Sequence, residues 1–285
     1  AGGGLENNNS SVFTQLIDLA GGPDKASFAV IPSASGVSVQ SFEYFKKTLV
    51  SYGVKPDKIN LIPVAMVDDD STEEVNEATW MNNGNDVQLA GMVRNCSAVW
   101  FTGGDQMRTI KCLVKNDGSK TPVLEAVWEV FHNGGVVGGT SAGAAIMSKA
   151  MIGGGNSIGA LTHGVLTNFE GDDFSESDGV LLTKGLGFFT HGIVDQHFDA
   201  RARIGRLIMA LFHERENFTY GFGIDENTAL IYLGKNKKLK VAGAGGVTII
   251  NTAKAEITFH NQLPEIKNLV VSYLEDGDML DIQSE

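Results

Sequence analysis

The feature that most constrains the fold of this chain is a repeated change of hydrophobic period along its first half. Short apolar runs at Phe28 to Ile31, Ile59 to Val64, Ala98 to Phe101 and Val136 to Gly138 alternate with longer amphipathic stretches. Strands that are apolar on both faces are buried on both faces, and they occur where helices cover a parallel sheet. Helices are expected at Ser11 to Leu19 and at Ser41 to Tyr52, where Phe42, Phe45, Leu49 and Tyr52 recur at helical spacing. Ser71-Thr72-Glu73-Glu74 has the form of a capping box and predicts another helix. Thr121-Pro122 predicts a helix running to about Asn133, with Thr121 as N-cap and the proline at the first helical position, where its missing N–H costs nothing.

The second half is less regular. Residues 153 to 178 are Gly-rich and acidic and read as loop, followed by a strand near Ile193-Val194 and a helix from about Ala200 to Phe212. Strand patterns then recur at Tyr220 to Ile224, Ala229 to Leu233, Leu239 to Asn251 and Val270 to Leu274. Gly2-Gly3-Gly4 resembles the turn after a strand that the chain lacks, so the whole reads as one α/β domain over residues 1–285 without its first strand.

Composition excludes several functions. With 285 residues the chain can bury a large core, and no apolar run approaches the ~20 residues that a membrane helix needs. A net charge of −12 repels phosphate backbones and argues against nucleic acid; it suits a cationic substrate better. Cys96 and Cys112 are ordinary thiols without metal-ligand spacing. There is no HExxH, CxxC pair or P-loop sequence, so no metal or organic cofactor is expected. The compartment, cytoplasmic or exported, stays open.

The chemistry is expected at Gly138-Gly139-Thr140-Ser141-Ala142-Gly143, which follows a strand and leads into a small-residue run. This is the G-x-S-x-G form of a nucleophile elbow, in which small neighbours let the chain turn sharply and present Ser141. The N–H of Ala142 then faces a developing oxyanion. A second glycine turn, Gly103-Gly104-Asp105-Gln106, follows another strand at the same sheet edge and offers further N–H groups. A serine hydroxyl needs a base, and of the six histidines His197 stands out. It lies in Asp195-Gln196-His197-Phe198, ahead of Arg201, Arg203 and Arg206 on an expected helix; whether those arginines face solvent or bind carboxylates, spacing does not choose.

These strings, with Met151 to Gly154 and Gly223 to Thr228, resemble the cyanophycinases over most of the chain. These are serine peptidases grouped with dipeptidase E and built on a flavodoxin-like fold similar to class I glutamine amidotransferases. They cleave cyanophycin, a poly-aspartate backbone carrying arginine on each side chain, mainly to β-aspartyl-arginine. The resemblance implies a largely parallel sheet flanked by helices with additional C-terminal strands, and a homodimer. It implies Ser141 as nucleophile, His197 as base and Gly104 with Ala142 as oxyanion donors. Gln106, Asp195, Gln196, Arg201, Arg203 and Arg206 would shape the substrate pocket. It also places an orienting glutamate about eighteen residues past the nucleophile, where this chain has Gly159. The orienting group is then Glu170, Asp172 or Asp173, or a main-chain carbonyl or water that holds His197 instead. Two alternatives remain: a dipeptidase E-like peptidase acting on short aspartyl peptides, and a catalytically silent homologue that binds the polymer.

Overall fold

The computed structural model describes residues 1–167, 174–260 and 263–282. They fall into two compact units, Glu6–Gly143 and a second made of Ala1–Leu5 with the residues from Ala144 onward.

Glu6–Gly143 contains α1 (Ser10–Leu19), β1 (Phe28–Ile31), α2 (Ser38–Ser51), β2 (Ile59–Leu61), α3 (Val87–Arg94), β3 (Ala98–Phe101), α4 (Gln106–Leu113), α5 (Pro122–His132) and β4 (Val136–Gly139). The four strands form a parallel sheet in the order β2-β1-β3-β4. Every residue of β1 and β3 is buried, as their unbroken apolar runs require. In register Val30 stands opposite Trp100, so Phe28, Val30 and Trp100 share a face. Helices α1 and α2 bring aromatic rings to that face. Phe45 stacks on Trp100 with centroids 5.0 Å apart, meets Phe28 edge-on at 6.4 Å and touches Phe13 at 6.2 Å. Helices α3 and α5 pack together, and α5 also contacts β3 and β4. Thr121 caps α5 as expected, accepting from the N–H of Leu124.

Two local expectations fail in this unit. Strand β2 ends at Leu61 instead of Val64, because Pro63 within the run has no N–H for a ladder. The Ser71 capping box opens no helix. The Ser71 N–H and Oγ both donate to Asp69 Oδ1, at 3.0 and 2.7 Å, so they serve a local turn. The next helical segment is a 3-10 stretch, Glu77–Asn85.

The second unit contains β5 (Ala150–Gly155), α7 (Ser157–His163), β6 (Val165–Leu166), β7 (Val180–Lys184), β8 (Ile193–Gln196), α8 (Ile204–His213), β9 (Tyr220–Ile224), β10 (Thr228–Leu233), β11 (Lys238–Gly243), β12 (Val247–Asn251), β13 (Glu256–His260), β14 (Leu263–Lys267), β15 (Val270–Leu274) and β16 (Met279–Asp281). The short α6 (Ala142–Ala145) joins the two stretches of chain. Four strands form a mixed sheet, β15-β12-β9-β8, in which β8 and β9 run parallel. Against it α8 buries Leu207, Ala210 and Leu211 in a cluster with Ile193, Phe198 and Ile250.

Here too the sequence reading needs correction. The stretch read as loop contains α7, whose N-terminus is capped by Asn156 through its Oδ1 to the N–H of Gly159 at 2.7 Å. The helix expected from Ala200 begins at Ile204, because Ala202 takes a left-handed backbone with φ 48° and breaks the helical run. Otherwise the architecture is the one expected: a parallel sheet flanked by helices, with additional C-terminal strands.

Phe45→Ala removes the ring that joins α2 to β1 and β3, so a loss of ~3–5 kcal/mol in unfolding free energy is expected from urea titration.

Candidate active site

In Glu6–Gly143, strand β4 runs into Thr140 and Ser141, and Ser141 adopts φ 54°. A left-handed backbone at a non-glycine residue is sparsely populated and persists only where its surroundings enforce it. The Thr140 N–H donates to Phe101 O at 3.1 Å and the Gly143 N–H to Thr140 O at 2.8 Å. The flanking residues have to be small. A β-carbon on Gly143 would lie 2.3 Å from Phe101 O, and one on Gly139 would lie 2.6 Å from Gly143 O. The second glycine turn passes close to the serine, since a β-carbon on Gly103 would sit 3.3 Å from Ser141 Cβ. Gly104, at φ 137°, leaves no room for a side chain against Ala34 O. Asp105 then caps α4 through the N–H of Met107, and Gln106 is buried at its first position. Ser141, Gly104, Ala142 and Gln106 thus belong to one unit, at the two strand-to-helix turns expected for them.

The candidate base lies in the other unit. His197 follows the last residue of β8 with φ 48°, and its side chain is largely buried. Its Nδ1 contacts Glu226 Oε1 at 2.5 Å. Burial holds the imidazole below its ordinary pKa; the Glu226 carboxylate opposes the shift, and Arg201 and Arg203 add to it. Glu226 sits between β9 and β10, next to Asp225. Asp225 accepts from the N–H of Asp199 at 3.2 Å, the N–H of Gly246 at 3.1 Å and the Tyr273 hydroxyl at 3.0 Å. Three separate segments therefore fix the turn that carries Glu226.

Among the described residues the carboxylate that meets His197 is that of Glu226, which the sequence reading did not single out; Glu170, Asp172 and Asp173 lie outside the described residues. Gly159, the position that lacked the expected glutamate, is on α7, and a β-carbon there would lie 2.7 Å from Ser177 O. The missed signal was positional. Strand β9 pairs in parallel with β8, Gln196 opposite Ile224, so His197 and Glu226 leave the same edge of adjacent strands.

Of the three arginines expected on one helix, only Arg206 is on it. Arg203 is its N-cap residue and Arg201 lies in the preceding turn, exposed. Arg206 is 1% exposed and engages Asp195 with two nitrogens, Nε to Oδ2 at 2.8 Å and Nη2 to Oδ1 at 2.5 Å. Its Nη1 donates to Gly155 O at 2.6 Å. Arg203 Nη1 donates to both the backbone and side-chain oxygens of Gln196, each at 2.6 Å. Burial, with Arg206 beside it, pulls the Arg203 guanidinium down to about 10, while Asp195 opposes the shift. Asp195 and Arg206 bind each other, so they frame the segment that carries His197. Among the described residues no group of three or more His, Cys, Asp or Glu side chains is placed to hold a metal ion, and no helix is long and apolar enough to cross a membrane.

A strand-to-helix serine turn beside a glycine turn, in one unit, and a histidine–carboxylate pair, in the other, are features each known from serine hydrolases. The sequence profile of peptidase family S51 matches residues 1–240, and the chain belongs to that family. It is therefore a hydrolase of the peptidase class, as expected from sequence. A cyanophycinase of Geminocystis herdmanii is 31% identical over 97% of this chain and 90% of its own length. One from Synechococcus elongatus is 29% identical over 99% of this chain and 78% of its own. In three dimensions the chain resembles a peptidase from an acI-B1 actinobacterium, with TM-score 0.65 and 20% identity over 99% of this chain and 95% of that one.

Arg206→Met strands a buried Asp195 carboxylate, and urea unfolding is expected to show a loss of ~3–5 kcal/mol. In an NMR titration His197 should protonate below the ordinary imidazole range. Glu226→Gln should move its midpoint further down, because the contact that favours the charged ring is gone.

Proposed function

We propose that this chain is a serine peptidase that hydrolyses cyanophycin to β-aspartyl-arginine dipeptides through an acyl-enzyme on Ser141. The observation that carries the reading is the 2.5 Å contact between His197 Nδ1 and Glu226. With its Nδ1 proton held by the carboxylate, the neutral ring presents Nε2 as a proton acceptor. The depressed imidazole pKa keeps that form populated at neutral pH.

In this mechanism His197 takes the Ser141 proton as Oγ attacks the scissile backbone carbonyl. The N–H groups of Gly104 and Ala142 stabilise the tetrahedral oxyanion. His197 returns the proton to the leaving amine, and water, activated by the same ring, releases the acyl group. The strained backbone of Ser141 holds the nucleophile ready before substrate arrives. Arg201, exposed beside His197, suits the α-carboxylates of an aspartyl polymer, and the acidic surface of the chain suits its guanidinium groups.

Similarity to cyanophycinases along nearly the whole chain supports the polymer as substrate over short aspartyl peptides. The silent-homologue reading rested on a missing carboxylate, and Glu226 removes that reason.

The test is incubation of the protein and its Ser141→Ala variant with insoluble cyanophycin, followed by mass spectrometry of the soluble products. Release of β-aspartyl-arginine by the parent chain alone is expected. A parent chain that releases none yet reacts with a fluorophosphonate at Ser141 would remain a serine hydrolase and lose the cyanophycin assignment.

A further inference from the structure

The glycines at the start of the chain are unexplained by the mechanism above, and all three lie against its base and acid. The N–H of His197 donates to Gly2 O at 2.6 Å, the N–H of Asn227 to Gly3 O at 2.8 Å, and the N–H of Gly2 to Thr228 O at 2.8 Å. The segment is therefore laced to the residue that carries the imidazole and to the two residues after Glu226.

Its side-chain positions point at the same pair. A β-carbon on Gly2 would strike main-chain oxygens, Asp225 O at 2.0 Å and Ile224 O at 2.4 Å. A β-carbon on Gly3 would lie 2.2 Å from His197 Cε1 and 2.3 Å from Nε2, inside the imidazole. One on Gly4 would stand 3.2 Å from Glu226 Oε2. Gly3 and Gly4 also take φ 102° and 53°, where side chains are disfavoured. These requirements differ in what would yield. At Gly2 the obstacle is backbone, so the fold would have to shift. At Gly3 the obstacle is a side-chain ring rather than backbone, so the ring would move.

We infer that Gly2-Gly3-Gly4 is a positioning strap of the active site, in which the bare α-carbon of Gly3 forms the wall that holds the His197 imidazole against Glu226. The strap touches no reacting bond. It acts through His197, and so rests on the reading of that residue as the base. By tying His197 to Asn227 and Thr228 it sets the separation of imidazole and carboxylate, and by lacking a β-carbon it leaves room for the ring where Nδ1 meets Oε1.

The decisive variant is Gly3→Ala, with Gly22→Ala as control: Gly22 also has a positive φ, 83°, but a β-carbon there meets nothing within 4 Å. Both are assayed on cyanophycin beside His197→Ala, and the His197 ring is followed by NMR titration. A displaced ring should cost ~10²-fold in kcat with KM little changed, the size expected of a misplacement of about 1 Å. Its titration midpoint should fall because Glu226 no longer supports the charged form, while Gly22→Ala keeps the parent kcat. Parent-like kcat in Gly3→Ala overturns the inference, and so does a lowered kcat with an unmoved His197 titration, which would mark a general loss of structure. If Gly3→Ala does not fold, Gly4→Ala replaces it; a smaller loss of kcat with a moved titration is expected, and no change in either overturns the strap. Should His197→Ala retain activity, the base assignment itself falls, an outcome distinct from any result at Gly3.

Discussion

The parallel pairing of β8 with β9 is the constraint on which the candidate base depends. Gln196 stands opposite Ile224, so the chain leaves both strands at one edge, with His197 from the first and Glu226 from the second. A slip of one residue would turn the side chains of β8 to the other face and separate them. Register is protected from the helix side. Arg206 on α8 grips Asp195 of β8 with two nitrogens and reaches Gly155 with a third donor. Burying that pair costs desolvation that its mutual attraction only partly returns, and a planar two-point contact gives direction that an apolar pair would lack.

Ser141 and His197 share a backbone property. Both are non-glycine residues in the left-handed region, with φ 54° and 48°. Such positions are held by rigid neighbours. At Ser141 the neighbours are glycines packed against Phe101 O, backed by a strand whose residues are all buried. At His197 they are β8, the Asp225 turn and Gly2-Gly3-Gly4. Strain at a site residue is usual where a scaffold is built to aim a side chain.

The carboxylates of the second unit divide into distinct roles by environment. Asp195 is buried against a guanidinium and serves structure. Asp225 accepts hydrogen bonds from Asp199, Gly246 and Tyr273 and ties strand β15 to the turn beside it. Glu226, with its side chain 45% exposed, keeps enough freedom to meet the imidazole. Adjacent residues in one turn thus hold the turn and serve the histidine respectively.

The amino-acid sequence by itself determined the parallel sheet and the two glycine turns, because both are local in their causes. Unbroken apolar runs at β1 and β3 and a capped, proline-started α5 state their conformation within a few residues, and the glycines around Ser141 state the elbow. The same locality misled at Ser71, where Asp69 took the hydrogen bonds that a helix would have used, and at Ala202, where one left-handed residue delayed α8. Tertiary structure alone brought a carboxylate to His197. Glu226 is 29 residues from His197 and is joined to it by a strand register that no periodicity records. It also decided that Arg206 and Asp195 bind each other and that Gly3 lies against the imidazole, since burial and close approach exist only once distant segments have packed.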